Sequence, residues 1–235
     1  MTLLDSRARE VVIFTGLILF VFLGALRAAD PKIVLPPKDA VPVPLTLYNF
    51  DHDMPGKPPP HFSLVVDGQG PKIHWAVKPD PHAPSPPNVL VQDGHAEPGK
   101  NFALALLDGV KLQNGEAAVR FRIAAGEERQ DAGIVWRYQD AKNYYVVCVS
   151  GKDDDCSVYR VRKGKRKLIS SNLAIIIPYT WHELRIIFVN DHYTALFNGE
   201  LVAGDKDSGL REAGQVGLWT QSDSAIQFDD FRVSK

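Results

Sequence analysis

The sequence predicts an all-β fold, a two-sheet antiparallel sandwich of the jelly-roll type, preceded by an apolar N-terminal signal or anchor helix. Three observations predict it. Short β-type runs follow one another from residue 45 to the end, separated by turn residues. No segment sustains a 3.6-residue apolar period over three helical turns. The 17 prolines and 18 glycines in 235 residues favour many turns over long helices.

The N-terminus comes first. "MTLLDSRARE" carries Arg7 and Arg9, and the apolar run "VVIFTGLILFVFLGAL" fills residues 11–26. That run matches the core of an export signal and falls short of the ~20 residues that span a bilayer. Small residues at Ala28 and Ala29 offer a cleavage point. Residues 1–29 therefore read as a cleaved signal peptide or a retained membrane anchor. Either places the folded part outside the cytoplasm, in a periplasm or the extracellular space. "PKIVLPPKDAVPVP" makes residues 30–44 a proline-rich linker, and 45–235 form the sandwich.

The strands follow in order. "LTLYNFD" opens the domain, and "PGKPPP" and "KPDPHAPSPP" are loops between early strands. "KIHWAV", "NVLVQ", "FALALL" and "AAVRFRIAA" come next, then "AGIVWRYQ", "NYYVVCVS", "CSVYRVRK" and "KLISS". "WHELRIIFVN", "HYTALFN", "ELVAGD", "GQVGLWTQ" and "AIQFDDFRV" complete the set. Asn198-Gly199 predicts a type I′ hairpin, and Asn190-Asp191 and Gly164 mark further turns.

Charge narrows the function classes. A net charge of −1 provides no global field toward nucleic acid or membrane. "RVRKGKRK" (160–167) packs cations around Gly164; it reads as a solvated hairpin tip, with a patch for acidic polysaccharide or anionic lipid as the alternative, and the lack of aromatic interleaving argues against nucleic acid. There is no phosphate loop, no Gly-x-Ser-x-Gly elbow and no histidine pair at metal-ligand spacing, so no metal site and no cofactor are expected. "DHD" (51–53) reads as a solvated turn. "KDDD" (152–155) resembles a calcium loop in charge alone.

Cys148 and Cys156 flank that acidic turn. With Tyr144 opposite Arg160 and Val146 opposite Val158, the two cysteines face each other and predict a cross-hairpin disulfide in the exported domain.

Strand alternation then suggests a site. In "AAVRFRIA", Val119, Phe121 and Ile123 point one way and Arg120 and Arg122 the other. A four-residue loop at 139–142 pairs Arg137 with Tyr144, whereas a loop one residue longer puts Tyr138 opposite Tyr144. The expected outer face therefore carries Arg120, Arg122, Arg137, Tyr144 and Arg160, and the inner face Trp136, Tyr138, Tyr145 and Val147. Guanidinium forks and aromatic rings are what a saccharide needs, through bidentate hydrogen bonds and ring stacking. The same residues also make an ordinary cross-strand cation–π row.

The runs "AAVRFRIAAGEERQDAGIVWRYQDAKNYYVV", "WHELRIIFVNDHYTALFNGELV" and "GQVGLWTQSDSAIQFDDFRV" resemble exported bacterial domains of the concanavalin A-like lectin/glucanase superfamily. They are similar to 3-keto-disaccharide hydrolase domains and, more loosely, to laminin-G-like modules. The resemblance covers residues 45–235 and implies a sandwich with a saccharide-binding face; laminin-G-like relatives also imply calcium as an option. The Glu-x-Asp-x-x-Glu strand of laminarinase-type members, which sets an acid and a nucleophile about 5 Å apart, is missing from this sequence. No catalytic residue is therefore assigned. The expectation is an exported, non-catalytic glycan-binding module, with a 3-keto-disaccharide hydrolase or lyase and a laminin-G-like protein-binding domain as alternatives.

Overall fold

A computed structural model describes residues 46–67, 74–93 and 101–235. The segments expected to be a signal or anchor (1–29) and a linker (30–44) lie outside the described residues. All regular elements among the described residues are strands: β1 Thr46–Tyr48, β2 Phe62–Asp67, β3 Trp75–Pro79, β4 Asn88–Asp93, β5 Phe102–Leu107, β6 Gly115–Ala125, β7 Asp131–Asp140 and β8 Asn143–Ser150. They continue with β9 Asp155–Arg162, β10 Lys165–Leu173, β11 His182–Val189, β12 His192–Phe197, β13 Glu200–Lys206, β14 Gln215–Gln221 and β15 Ala225–Ser234. β2, which follows the "PGKPPP" loop, is an edge strand that the sequence pattern did not single out.

The strands form two antiparallel sheets. The first runs β13-β12-β11-β6-β15-β4-β3, with β1 also paired to β15; the second runs β10-β9-β8-β7-β14-β5-β2. This is the jelly-roll sandwich the pattern predicts. Hairpins arise where turn chemistry demands them. Phe197 pairs with Glu200 around Asn198-Gly199, both at positive φ (50° and 82°), as a type I′ turn requires. Lys163-Gly164 closes β9 to β10 in the same way, at 53° and 73°.

The main core lies between the sheets. Val119, Phe121 and Ile123 from β6 and Leu184, Ile186 and Phe188 from β11 meet Ile134, Trp136, Tyr145 and Val147 from the second sheet. Trp136 stacks on Tyr145 at 5.1 Å and on Phe188 at 6.1 Å. A second apolar cluster covers the other side of the second sheet: Leu104, Leu106, Val135, Tyr138, Tyr144, Val146, Cys148, Val161 and Trp219. The second sheet is therefore apolar on both faces, and the first on one.

Two registers differ from the expectation. The turn between β8 and β9 is four residues long and pairs Ser150 with Asp155, so Val149 faces Cys156 and Cys148 faces Ser157. The predicted disulfide does not form, and both thiols are free and buried. A slip of one residue sends the two side chains to opposite faces of the sheet: Cys148 lies in the outer cluster and Cys156 in the core. In β7 a bulge falls between Trp136 and Asp140, with Arg137 at φ 48°. The bulge leaves Trp136 and Tyr145 on the core side as predicted and turns Tyr138 to the opposite face.

Candidate functional site

The five arginines and tyrosines expected on one face are divided between the two sheets. Arg120 and Arg122 stand on the outer face of the first sheet. Tyr144 lies on the outer face of the second, buried against Tyr138 at 5.7 Å between ring centres. Burial raises its hydroxyl pKa well beyond the usual tyrosine range. Arg137 does not reach solvent. Its bulge turns it inward over Phe188, and it donates to the carbonyls of Gln113 (2.9 Å), Leu210 (3.0 Å) and Asn190 (2.5 Å). Burial lowers its pKa. Arg160 pairs with Tyr145 on the core side and clamps Asp207 at 2.6 and 2.7 Å. Burial opposes ionisation of Asp207, yet donors from Tyr145, the Gly209 N–H and Arg160 together hold its carboxyl below the usual range. Arg137 and Arg160 thus tie loops to the sandwich.

The acidic turn is likewise engaged. Asp153 accepts from Arg129, Asp154 from the Ile176 N–H, and Asp155 from Ser157 and Ser171.

The outer face of the first sheet is built by alternation. Arg120 and Arg122 occupy the polar phase of β6, opposite the core phase of Val119, Phe121 and Ile123. Across the ladders, Arg120 has Glu183 on one side and Asp229 on the other, and Arg122 has Gln227. Trp181, just before β11, sits beneath the Arg122 guanidinium at 4.9 Å. Arg122 also donates to Gln227 Oε1 at 2.6 Å and to Asp80. Arg232 is paired with Glu183, and Arg185 with Glu116 at 2.7 Å. Beside these residues a groove of about 420 Å³ is lined by Arg120, Trp181, His182, Glu183, Asn198 and Gly199. His182 forms a fixed wall: Asn198 Nδ2 meets its Nδ1 at 3.0 Å, and its Nε2 lies 3.0 Å from the Ile177 carbonyl.

Two adjacent carboxylates border the face. A bulge in β15 between Asp229 and Arg232 turns both Asp229 and Asp230 outward, with Asp230 at φ 49°. The β3–β4 loop folds onto them: the Ser85 N–H donates to Asp229 at 2.8 Å and the Ser85 hydroxyl to Asp230 at 2.8 Å. Asp229 is fully buried, and burial raises its pKa to about 7 against the opposing pull of the Ser85 and Asp230 N–H groups; Asp230 and Asp51 add to the rise. At neutral pH this carboxyl is poised between its two forms, the condition a general acid or base requires. Trp181, Asp80, Ser85, Asp229 and Asp230 were not singled out from the sequence. One signal was available: "FDDF" sets two polar residues between two core phenylalanines, which a regular strand cannot do without a bulge.

The outer face of the second sheet ends in a different arrangement. Exposed Arg166 lies over Tyr159 at 3.7 Å and near Phe102 and Trp219 at 5.2 and 5.4 Å, and it donates to Gln221 at 3.2 Å. The Asp131 Oδ1 nearby is buried without a hydrogen-bond partner, and burial raises the pKa of that carboxyl.

Two antiparallel sheets on one core, with a polar groove on an outer face, define a concanavalin A-like sandwich. The chain belongs to the family of 3-keto-alpha-glucoside-1,2-lyase-like domains, whose model matches residues 62–234. A comparison with curated proteins finds no match. Among solved structures, the carbohydrate-binding module CBM66 from Bacillus subtilis is similar at a TM-score of 0.56 and 20% identity, covering 71% of this chain and 94% of its own. A Bacillus subtilis protein of unknown function with a galectin-like fold is similar at a TM-score of 0.53 and 10% identity, covering 72% and 88%. These likenesses concern the fold.

Proposed function

We propose that this protein is an exported saccharide-binding sandwich whose ligand lies in the Arg120–Trp181 groove. The observation that carries this reading is the groove itself. A partly exposed indole and the Arg120 guanidinium line an open cavity of about 420 Å³, with the Arg122 guanidinium over the indole. Ring faces stack on the apolar side of a sugar, and planar forks take paired hydroxyls. Membership in a sugar-lyase-like family and the likeness to a carbohydrate-binding module support the ligand class. The apolar run at 11–26 supports export, with the segment either cleaved or kept as a tether. A glycan-array screen of the full chain tests the reading, alongside Arg120→Ala and Trp181→Ala. Selective binding lost in both variants is the expected result. A folded protein that binds no glycan overturns it.

A second reading, elimination at a 3-keto glucoside, is favoured by Asp229. A ketone at C3 acidifies the C2–H. A base removes that proton, C1=C2 forms as the C1–O bond breaks, and the departing oxygen takes up a proton. A carboxyl with a pKa of about 7 suits either proton transfer, provided the Ser85 loop moves aside. In this case Asp229→Asn abolishes cleavage of a 3-keto α-glucoside and leaves saccharide binding in place. Equal turnover by wild type and variant rules this role out.

A further inference from the structure

Resting on the saccharide reading of this groove, we propose that the groove selects an acidic sugar, with Arg120 binding the ligand's carboxylate while Trp181 carries its ring. Among the described residues, the outer face of the first sheet holds four guanidinia. Three are held in close ion pairs: Arg122 by Asp80, with Gln227 as a further acceptor, Arg185 by Glu116 and Arg232 by Glu183. Arg120 is not. Its one ion pair among the described residues is a 3.7 Å contact with Asp230, and its side chain is 44% exposed.

The flanking carboxylates do not take its place. Glu183, opposite Arg120 in the ladder, is committed to Arg232. Asp229, on the other side, is turned to the Ser85 and Asp230 N–H groups. Asp230 accepts from the Ser85 hydroxyl through Oδ1, and its Oδ2 stays 3.7 Å from the Arg120 guanidinium, too long for a hydrogen bond. Arg120 therefore presents a planar donor fork, held only by its 3.7 Å contact with Asp230, to a groove it lines together with Trp181 and Asn198. A guanidinium has only donors to offer, and its geometry matches a carboxylate through two parallel hydrogen bonds. A neutral hydroxyl pair satisfies the same fork less well, because it brings no charge. A uronate supplies both the ring for the indole and the anion for the fork.

The experiment is a titration of the full chain with uronic-acid oligosaccharides and with the same oligosaccharides after reduction of their carboxyls to alcohols. The expected result is at least about tenfold tighter binding of the acidic form, the size a charge-assisted hydrogen bond allows. That preference should disappear in Arg120→Gln and weaken as salt rises. Trp181→Ala should weaken both forms together. Equal affinity of wild type for the acidic and reduced ligands overturns the acidic preference and leaves the saccharide reading standing. A preference that persists in Arg120→Gln overturns the role of Arg120. Failure of a folded protein to bind either form overturns the parent reading as well.

Discussion

The outer faces of the two sheets are made by the same alternation and have opposite characters. On the first sheet, "VRFRI" and "ELRIIF" place arginine and glutamate outward, half-exposed and paired across strands. On the second, "FALALL", "AGIVW", "YYVVCV" and "VGLW" are apolar in both phases, and Leu104, Val135, Tyr144, Val146 and Trp219 are as buried as the main core. A strand that alternates has one wet face; a strand with a continuous apolar run has none. The comparison explains why Tyr144, read as an outward binding residue, is a packing residue, whereas Arg120 lines a groove and Arg122 stands beside it over Trp181.

The largest effect that sharpens this contrast is expected at Trp219. Trp219→Ala should lower unfolding free energy by about 3–5 kcal/mol, as for a fully buried core tryptophan, measured by denaturant titration. Trp181→Ala, on the other sheet, should cost well under half of that. A small loss at Trp219 would mean that the second outer face is not a true core.

Next comes Arg137. Arg137→Ala strands three carbonyls, those of Gln113, Leu210 and Asn190, and should cost roughly 2–4 kcal/mol. Arg120→Ala should change stability by no more than ~0.5 kcal/mol, because it loses a long and exposed ion pair. Similar losses at both positions would erase the distinction between a loop tie and a groove residue.

A smaller effect depends on pH. The Asp229 carboxyl holds its proton more tightly in the fold than in the unfolded chain. Its contribution to stability is fully present below the unfolded value near pH 4 and is lost as pH rises through about 7. Thermal melts of the wild type should therefore fall between pH 5 and pH 8 by more than those of Asp229→Asn. Parallel curves would show that Asp229 titrates normally. Asp207 has the opposite sign. Its depressed value contributes stability above pH 4 that is lost on further acidification, and Asp207→Asn should flatten the acid limb.

The smallest expected effect is none. Reductant should leave the melting temperature unchanged, since Cys148 and Cys156 are free and face opposite sides of the second sheet. A fall of several degrees with dithiothreitol would restore the bridge.

Much of the fold is legible in the chain. Period-two runs mark the strands, Asn198-Gly199 marks its hairpin, and the core phase of β6 can be read directly from Val119, Phe121 and Ile123. Less of the site is legible. Trp181, Asp80, Ser85 and Asp229 are far apart in sequence, and a loop laid over a bulge brings them together. Bulges are the main obstacle, because one extra residue reverses every later side chain. One in β7 separated Arg137 and Tyr138 from their expected faces, and one in β15 aimed Asp229 and Asp230 outward together.

By itself, the sequence determined that this chain is a two-sheet sandwich, because alternation and turn chemistry act between neighbours and need no distant partner. Only the tertiary structure decided which arginines share a surface. Sheet membership is set by pairing between strands that can lie well over a hundred residues apart, as Thr46 and Val233 do, and that pairing placed Arg120 and Arg122 on one sheet and Arg137, Tyr144 and Arg160 on the other.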